Sequence, residues 1–138
     1  MTQGATPQGL ALTLALGFVI GTIPLLGWTT LLCFLAGLLF SLNQPLIQIL
    51  NYLFYPLQIL LMPVFLSWGQ TLYNEPQIEF DLQKLMQEFK ADWMLFFIHY
   101  TKAGLHAVTV WALVSPLVGF FIYSGAYFVF QKLKTQRE

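Results

Sequence analysis

The stretch GTIPLLGWTT, residues 21–30, interrupts an otherwise unbroken apolar run with two glycines, a proline and three threonines. How it is read decides the fold. The surrounding run extends from about Leu10 to Leu42. As one helix it would measure roughly 50 Å, against a hydrocarbon core of about 30 Å. Broken at Gly21, Pro24 and Gly27, it leaves arms of roughly 21 Å, each too short to cross a bilayer alone. These lengths fit a helix–turn–helix that enters and leaves on one face, with the second half-helix starting near Trp28. Long, kinked and tilted spans are the competing geometry.

Composition supports a membrane setting. The 138 residues are 57% hydrophobic and only 9% charged, with a mean hydropathy of +0.68; soluble domains carry about 25% charge. Six acids balance six bases, and the first charged side chain from the N-terminus is Glu75. No basic patch exists for nucleic acid. A single cysteine, Cys33, excludes an internal disulfide and a thiolate metal cluster. The opening MTQGATPQGL has no Lys or Arg, so the first apolar segment reads as mature structure rather than a cleaved leader.

The chain divides into a single all-α integral membrane domain over residues 1–138. A first broken hairpin covers 10–42. A second, beginning at Pro45 and interrupted at Pro56 and Pro63, covers 45–73. Prolines within helices cost about 3 kcal/mol when uncompensated. Non-helical backbone at membrane depth survives only inside protein or beside water. Paired breaks therefore point to re-entrant hairpins and a site built from discontinuous helices. Residues 80–102 form an amphipathic helix, with Phe80, Leu82, Leu85, Met86, Phe89 and Trp93 opposite Asp81, Lys84, Glu88 and Asp92. Residues 103–130 form the plainest transmembrane helix, kinked at Pro116. Parity puts residue 74 on the same side as residue 1 and the C-terminus across the membrane. Lys132, Lys134 and Arg137 favour a cytoplasmic tail, with Lys84, Lys90 and Lys102 competing.

Several polar groups are site candidates. Gly17 and Gly21 form a GxxxG extended by Ala11 and Ala15, the pattern of close helix approach. In the turn, the N–H groups of a helix starting near Trp28 would point into the break. Gly27, Trp28, Thr29 and Thr30 could then hold a phosphate or carboxylate, unless Thr29 and Thr30 simply cap the helix. Gln44, Gln48 and Asn51 share one helix face, and Gln58 continues it if the Pro56 break preserves the register. They either tie helices together or line a polar path. His99, Lys102 and His106 share another face and suit lipid phosphates or head-group snorkelling. With no carboxylate near the two histidines in sequence, a metal site is rejected.

Three segments carry a family resemblance: TPQGLALTLALGFVIGTIPLLGWTTLL, LNQPL and YPLQILLMPVFLSWG. Together they resemble the domain-of-unknown-function 2062 family of small bacterial membrane proteins. The matching positions are Pro7, Ala11, Gly17, Gly21, Pro24, Gly27, Thr30, Asn43, Pro45, Pro56 and Gly69, within about residues 6–73. Two positions depart from the pattern. Tyr55 precedes Pro56 where the family has Asn, and Gln8 follows Pro7 where a charged residue is usual. Some members are fused to glycosyltransferases, so the resemblance implies the bacterial inner membrane and hints at lipid-linked sugar or polyprenyl-phosphate handling.

No G-x-S-x-G, H-E-x-x-H or phosphate-binding Walker loop occurs, and no cofactor is expected. Acid–base chemistry would fall to His99 and His106 alone. Two functions remain open. The first is a protein, homo-oligomeric or with a membrane partner, that binds or translocates an amphiphilic anion such as a polyprenyl phosphate. The second is a structural or accessory subunit packing against a membrane enzyme.

Overall fold

The computed structural model describes residues 6–79 and 81–136, and these form six helices with no strand among them. Phe80 and Arg137 lie outside the described residues. Helix α1 spans Pro7–Gly21, opened by Thr6, whose Oγ1 accepts the Gly9 N–H at 3.1 Å. Pro7 costs nothing there because a first-turn N–H has no helical partner. The helix ends where expected, and the chain turns through residues 22–28 to α2, Thr29–Leu39. Gly27 sits at φ +86° with open space around its Cα, so the backbone angle rather than crowding calls for glycine.

Helix α3, Gln44–Leu53, opens on Asn43, whose Oδ1 accepts the Leu46 N–H at 3.0 Å. It runs parallel to α1, with Gly17 against Ile47 and Leu50, and Gly21 against Asn51 and Phe54. It is antiparallel to α2, since Gln44 reaches Phe34 while Gln48 and Asn51 reach Thr30. Residues 7–39 therefore do fold as a hairpin. A first core gathers Cys33, Ala36, Leu42 and Ile47 beneath Leu12, Leu16 and Ile20.

Residues 45–73 are not a second hairpin. Helix α4, Tyr55–Leu72, follows α3 after a bend of 56° at Phe54, which redirects the chain without reversing it. Pro56 occupies the first turn of α4, where it starts a helix, and α4 continues through Pro63. This differs from the arrangement that the parity count assumed. Residue 74 lies at the opposite end of the molecule from residue 7, which sits toward the C-terminal end of the last helix.

That last helix begins earlier than the sequence pattern implies. Helix α5, Leu82–Ala91, starts on Asp81, and α6 spans Trp93–Thr135 without interruption at Pro116. The amphipathic stretch is divided at Asp92, in extended backbone, whose Oδ1 accepts the Leu95 N–H at 2.9 Å. An aspartate cap thus begins a new helix inside the unbroken apolar rhythm. α5 folds back on it through Phe89, 5.5 Å from the Phe96 ring.

α6 runs antiparallel to both α1 and α4. Val19 lies against Gly119, with Leu12 and Tyr123 further along the same cleft, while Gly69 meets His106 and Glu75 meets Lys102. The second core, Phe65, Leu66, Ala103, Ala107 and Val110, lies along the α4–α6 seam. Among the described residues α6 is the one helix long and apolar enough to cross a membrane; the bent α3–α4 pair passes the same test if taken as one span. Only 11% of the most apolar window of α6 is buried within the chain, unlike the core helix of a soluble protein.

Candidate functional site: a charged cluster above an apolar cavity

The expected site residues fall into two separate places. The first is the hairpin turn. Thr29 is buried and Thr30 exposed, and both lie inside α2 rather than capping it. Trp28 precedes the helix without a side-chain cap and is 59% exposed. Four amides from α3 and α4 fasten the turn and α2. Gln44 Nε2 donates to Phe34 O at 3.0 Å and Gln48 Nε2 to Thr30 O at 3.1 Å. Asn51 Nδ2 donates to Thr30 Oγ1 at 3.3 Å, and buried Gln58 Nε2 to Ile23 O at 2.7 Å. Gln58 thus continues the amide face across the 56° bend. The carbonyl oxygens of these four side chains are buried with no donor among the described residues. Ala11, Ala15, Gly17 and Gly21 are buried helix-packing positions.

The second place is at the far end of α4. His99, Lys102 and His106 project from α6 toward the connector between α4 and α5, which carries Glu75. One Glu75 oxygen pairs with Lys102 Nζ, and the other lies 3.4 Å from His106 Nδ1. Tyr73 stacks on the His106 imidazole, ring centres 3.9 Å apart and 13° from parallel. Gly69 makes this possible by bringing α4 against the α6 backbone at His106. The ammonium of Lys102 holds the Glu75 carboxyl below the usual carboxylate range. Partial burial opposes that shift, and the charges of His106 and His99 reinforce it. Among the described residues no three His, Cys, Asp or Glu side chains gather as a metal ion would need.

Glu75 was not among the sequence candidates. Its signal was its position as the first charged residue, placed directly after a long apolar block. The pairing itself joins residues distant in sequence and depends on how α4 packs on α6.

Between the two places lies a cavity of about 210 Å³, lined almost wholly by carbon. Phe18 and Val19 of α1, and Thr22 just after it, face Phe65 and Trp68 of α4, with Trp111 and Val114 of α6 closing it. Trp111 Nε1 donates to Val19 O at 3.1 Å and pins the end of α1 at this level. Trp111 stands about 8 Å along α6 from His106. The charged cluster and the hairpin turn are thus separated by an apolar cleft rather than joined in one site.

A helical hairpin fastened by side-chain amides, a bent helix pair and one long apolar helix define a class: a small all-helical protein whose apolar surface faces outward. The chain belongs to the family described as "Uncharacterized protein conserved in bacteria (DUF2062)", whose model matches residues 1–138. The match covers the whole chain and not only residues 6–73. No curated protein and no solved structure matches it.

Proposed function

We propose that this protein is embedded in a bacterial inner membrane and binds an amphiphile with an anionic, phosphate-class head. The hydrocarbon part occupies the cleft between α1, α4 and α6, and the head meets Lys102 and His106, with His99 alongside. The observation that carries this reading is the carbon-lined cavity lying about two helical turns or less from a charged cluster. At about 210 Å³, below the usual range of about 300–1,000 Å³ for a ligand pocket, the cavity takes part of an acyl or isoprenoid chain, and the cluster suits its head.

Membrane embedding draws support from the little-buried α6 and from exposed Leu39, Leu60, Leu113 and Phe121, more apolar surface than a soluble monomer tolerates. On this reading α1–α2 is a re-entrant hairpin, and its turn lies level with Trp111, inside the hydrocarbon. Both chain ends share one side, and Lys132 and Lys134 make that side cytoplasmic. The test is lipid retention. The wild-type chain keeps a lipid phosphate through detergent exchange, read by native mass spectrometry. Val114→Phe, which narrows the cavity, loses it while unfolding at a similar temperature. Equal retention by both would refute the cleft as the binding site.

A second reading, an accessory subunit without a ligand, is favoured by one observation: the side-chain nitrogens of Gln44, Gln48, Asn51 and Gln58 all bond to the hairpin. It expects co-purification with a larger membrane enzyme through the exposed face of α2, Leu31, Phe34, Leu35 and Leu38.

A further inference from the structure

The face formed by His99, Lys102 and His106 attracts an anion, and in the fold it already holds one from the same chain. Both oxygens of Glu75 are engaged, one by Lys102 and one near His106. The backbone carrying Glu75 is fixed. Its own N–H donates to Gln70 O at 2.8 Å, and the Ile78 N–H donates to Gln70 Oε1 at 3.0 Å. Gln77 Nε2 adds a bond to Thr71 Oγ1 at 3.1 Å. Only the Glu75 side chain is left to move, and 23% of it is already exposed.

The groups around it are only partly used. Lys102 has three N–H donors and a side chain 58% exposed, so its ammonium faces outward as well as toward Glu75. His106 is stacked on Tyr73, and its Nδ1 is buried without a hydrogen bond among the described residues. A carboxylate brings one negative charge and two oxygens. A phosphate monoester brings up to two charges and three oxygens, enough to engage Lys102 and His106 together.

Resting on the lipid-phosphate reading above, we propose that Glu75 is a resident counter-ion that a phosphate monoester displaces. The site then discriminates by competition. A neutral head has no charge with which to replace Glu75, and a phosphodiester, with one charge, exchanges like for like. A monoester gains by the exchange. Glu75 swings toward solvent on its own side-chain torsions, with no opening of the connector. Removing its charge therefore strengthens ligand binding, the reverse of what a ligand-contacting residue would do.

The experiment titrates the detergent-solubilised full chain with short-chain phosphatidic acid. Short-chain phosphatidylcholine serves as control, and the bound fraction is read by native mass spectrometry. Glu75→Gln keeps the shape and removes the charge, and is expected to bind phosphatidic acid about fivefold more tightly than wild type. Lys102→Gln is expected to bind more weakly. Should Glu75→Gln unfold, Glu75→Asp, too short to span both partners, decides the question by binding more tightly than wild type. Binding by wild type with no gain in the Glu75 variant overturns the displacement and leaves the lipid reading standing. No binding by any form overturns both. Inorganic phosphate competing as well as the lipid makes the ligand a free anion, with the role of Glu75 intact.

Discussion

Gly69→Ala tests the seam on which the charged cluster depends. A Cβ at Gly69 would lie 2.7 Å from the carbonyl carbon of His106 and 2.9 Å from both the His106 oxygen and the Ala107 nitrogen. Ordinary contact begins near 3.4 Å. The opposing atoms are helix backbone, which cannot rotate aside, so α4 and α6 must separate by roughly 0.7 Å to reach normal carbon contact. Overpacking of this kind costs about 1–3 kcal/mol, and the better helix propensity of alanine returns up to about 1 kcal/mol. The expected net loss is about 1–2 kcal/mol. Gly104→Ala is the matched control on the facing helix. Nothing lies within 4 Å of its added methyl, so it keeps the propensity gain alone. Thermal unfolding in detergent, followed by tryptophan fluorescence, should rank Gly104→Ala at or above wild type and Gly69→Ala clearly below. If both variants unfold at the same temperature, the close α4–α6 approach is not what holds this seam.

Three other outcomes follow from the same geometry. Gln58→Leu removes the buried bond from Gln58 Nε2 to the Ile23 carbonyl, which keeps only the Leu25 N–H, and should cost about 0.5–1.5 kcal/mol, measured as a lower unfolding midpoint. A smaller effect than that of Gln77→Leu, whose bonds are exposed, would contradict it. Gly27→Ala forces a side chain into the left-handed region at φ +86° and should lower stability by about 1 kcal/mol, although no neighbour blocks the methyl. An Asn at position 27 should recover part of that loss. Because the Glu75 carboxyl is held below its usual range, its ion pair stabilises the fold above the ordinary glutamate value of about 4.3. That contribution is lost as pH falls through the lowered value. The midpoint difference between wild type and Glu75→Gln should therefore shrink on acidification below about pH 4, and a constant difference would contradict the pairing.

What the sequence discloses here is local. Gly21, Pro24 and Gly27 locate the hairpin turn because glycine brings backbone freedom that a helix must give up and proline removes an N–H that the helix needs. Asn43 followed by Pro45 marks the start of α3 as a side-chain cap and a first-turn proline. Direction is harder to read. A proline after a helix break permits both reversal and redirection, and the choice at Pro56 is settled by α4 finding the α6 face at Gly69. The cap at Asp92 is hidden because apolar residues continue on both sides of it. Residue types in the charged cluster were legible on α6 through their spacing of three and four. Glu75 was not, because its partners are reached only after two helices pack. The amides show the same division: their shared face follows from periodicity, whereas their targets at Ile23, Thr30 and Phe34 come from the fold.

The order of the hairpin and its fasteners along the chain has a consequence for biosynthesis. Residues 7–39 leave the ribosome before Gln44, Gln48, Asn51 and Gln58 emerge. Until then the Thr30 and Phe34 carbonyls have only their donors within α2, and Ile23 O only the Leu25 N–H, without the second bonds they accept in the finished protein. The hairpin gains its amide bonds only once α3 has emerged beside it, and its turn gains that of Gln58 only once the first turn of α4 has followed. The N-terminal hairpin of the chain is thus made first and fastened later.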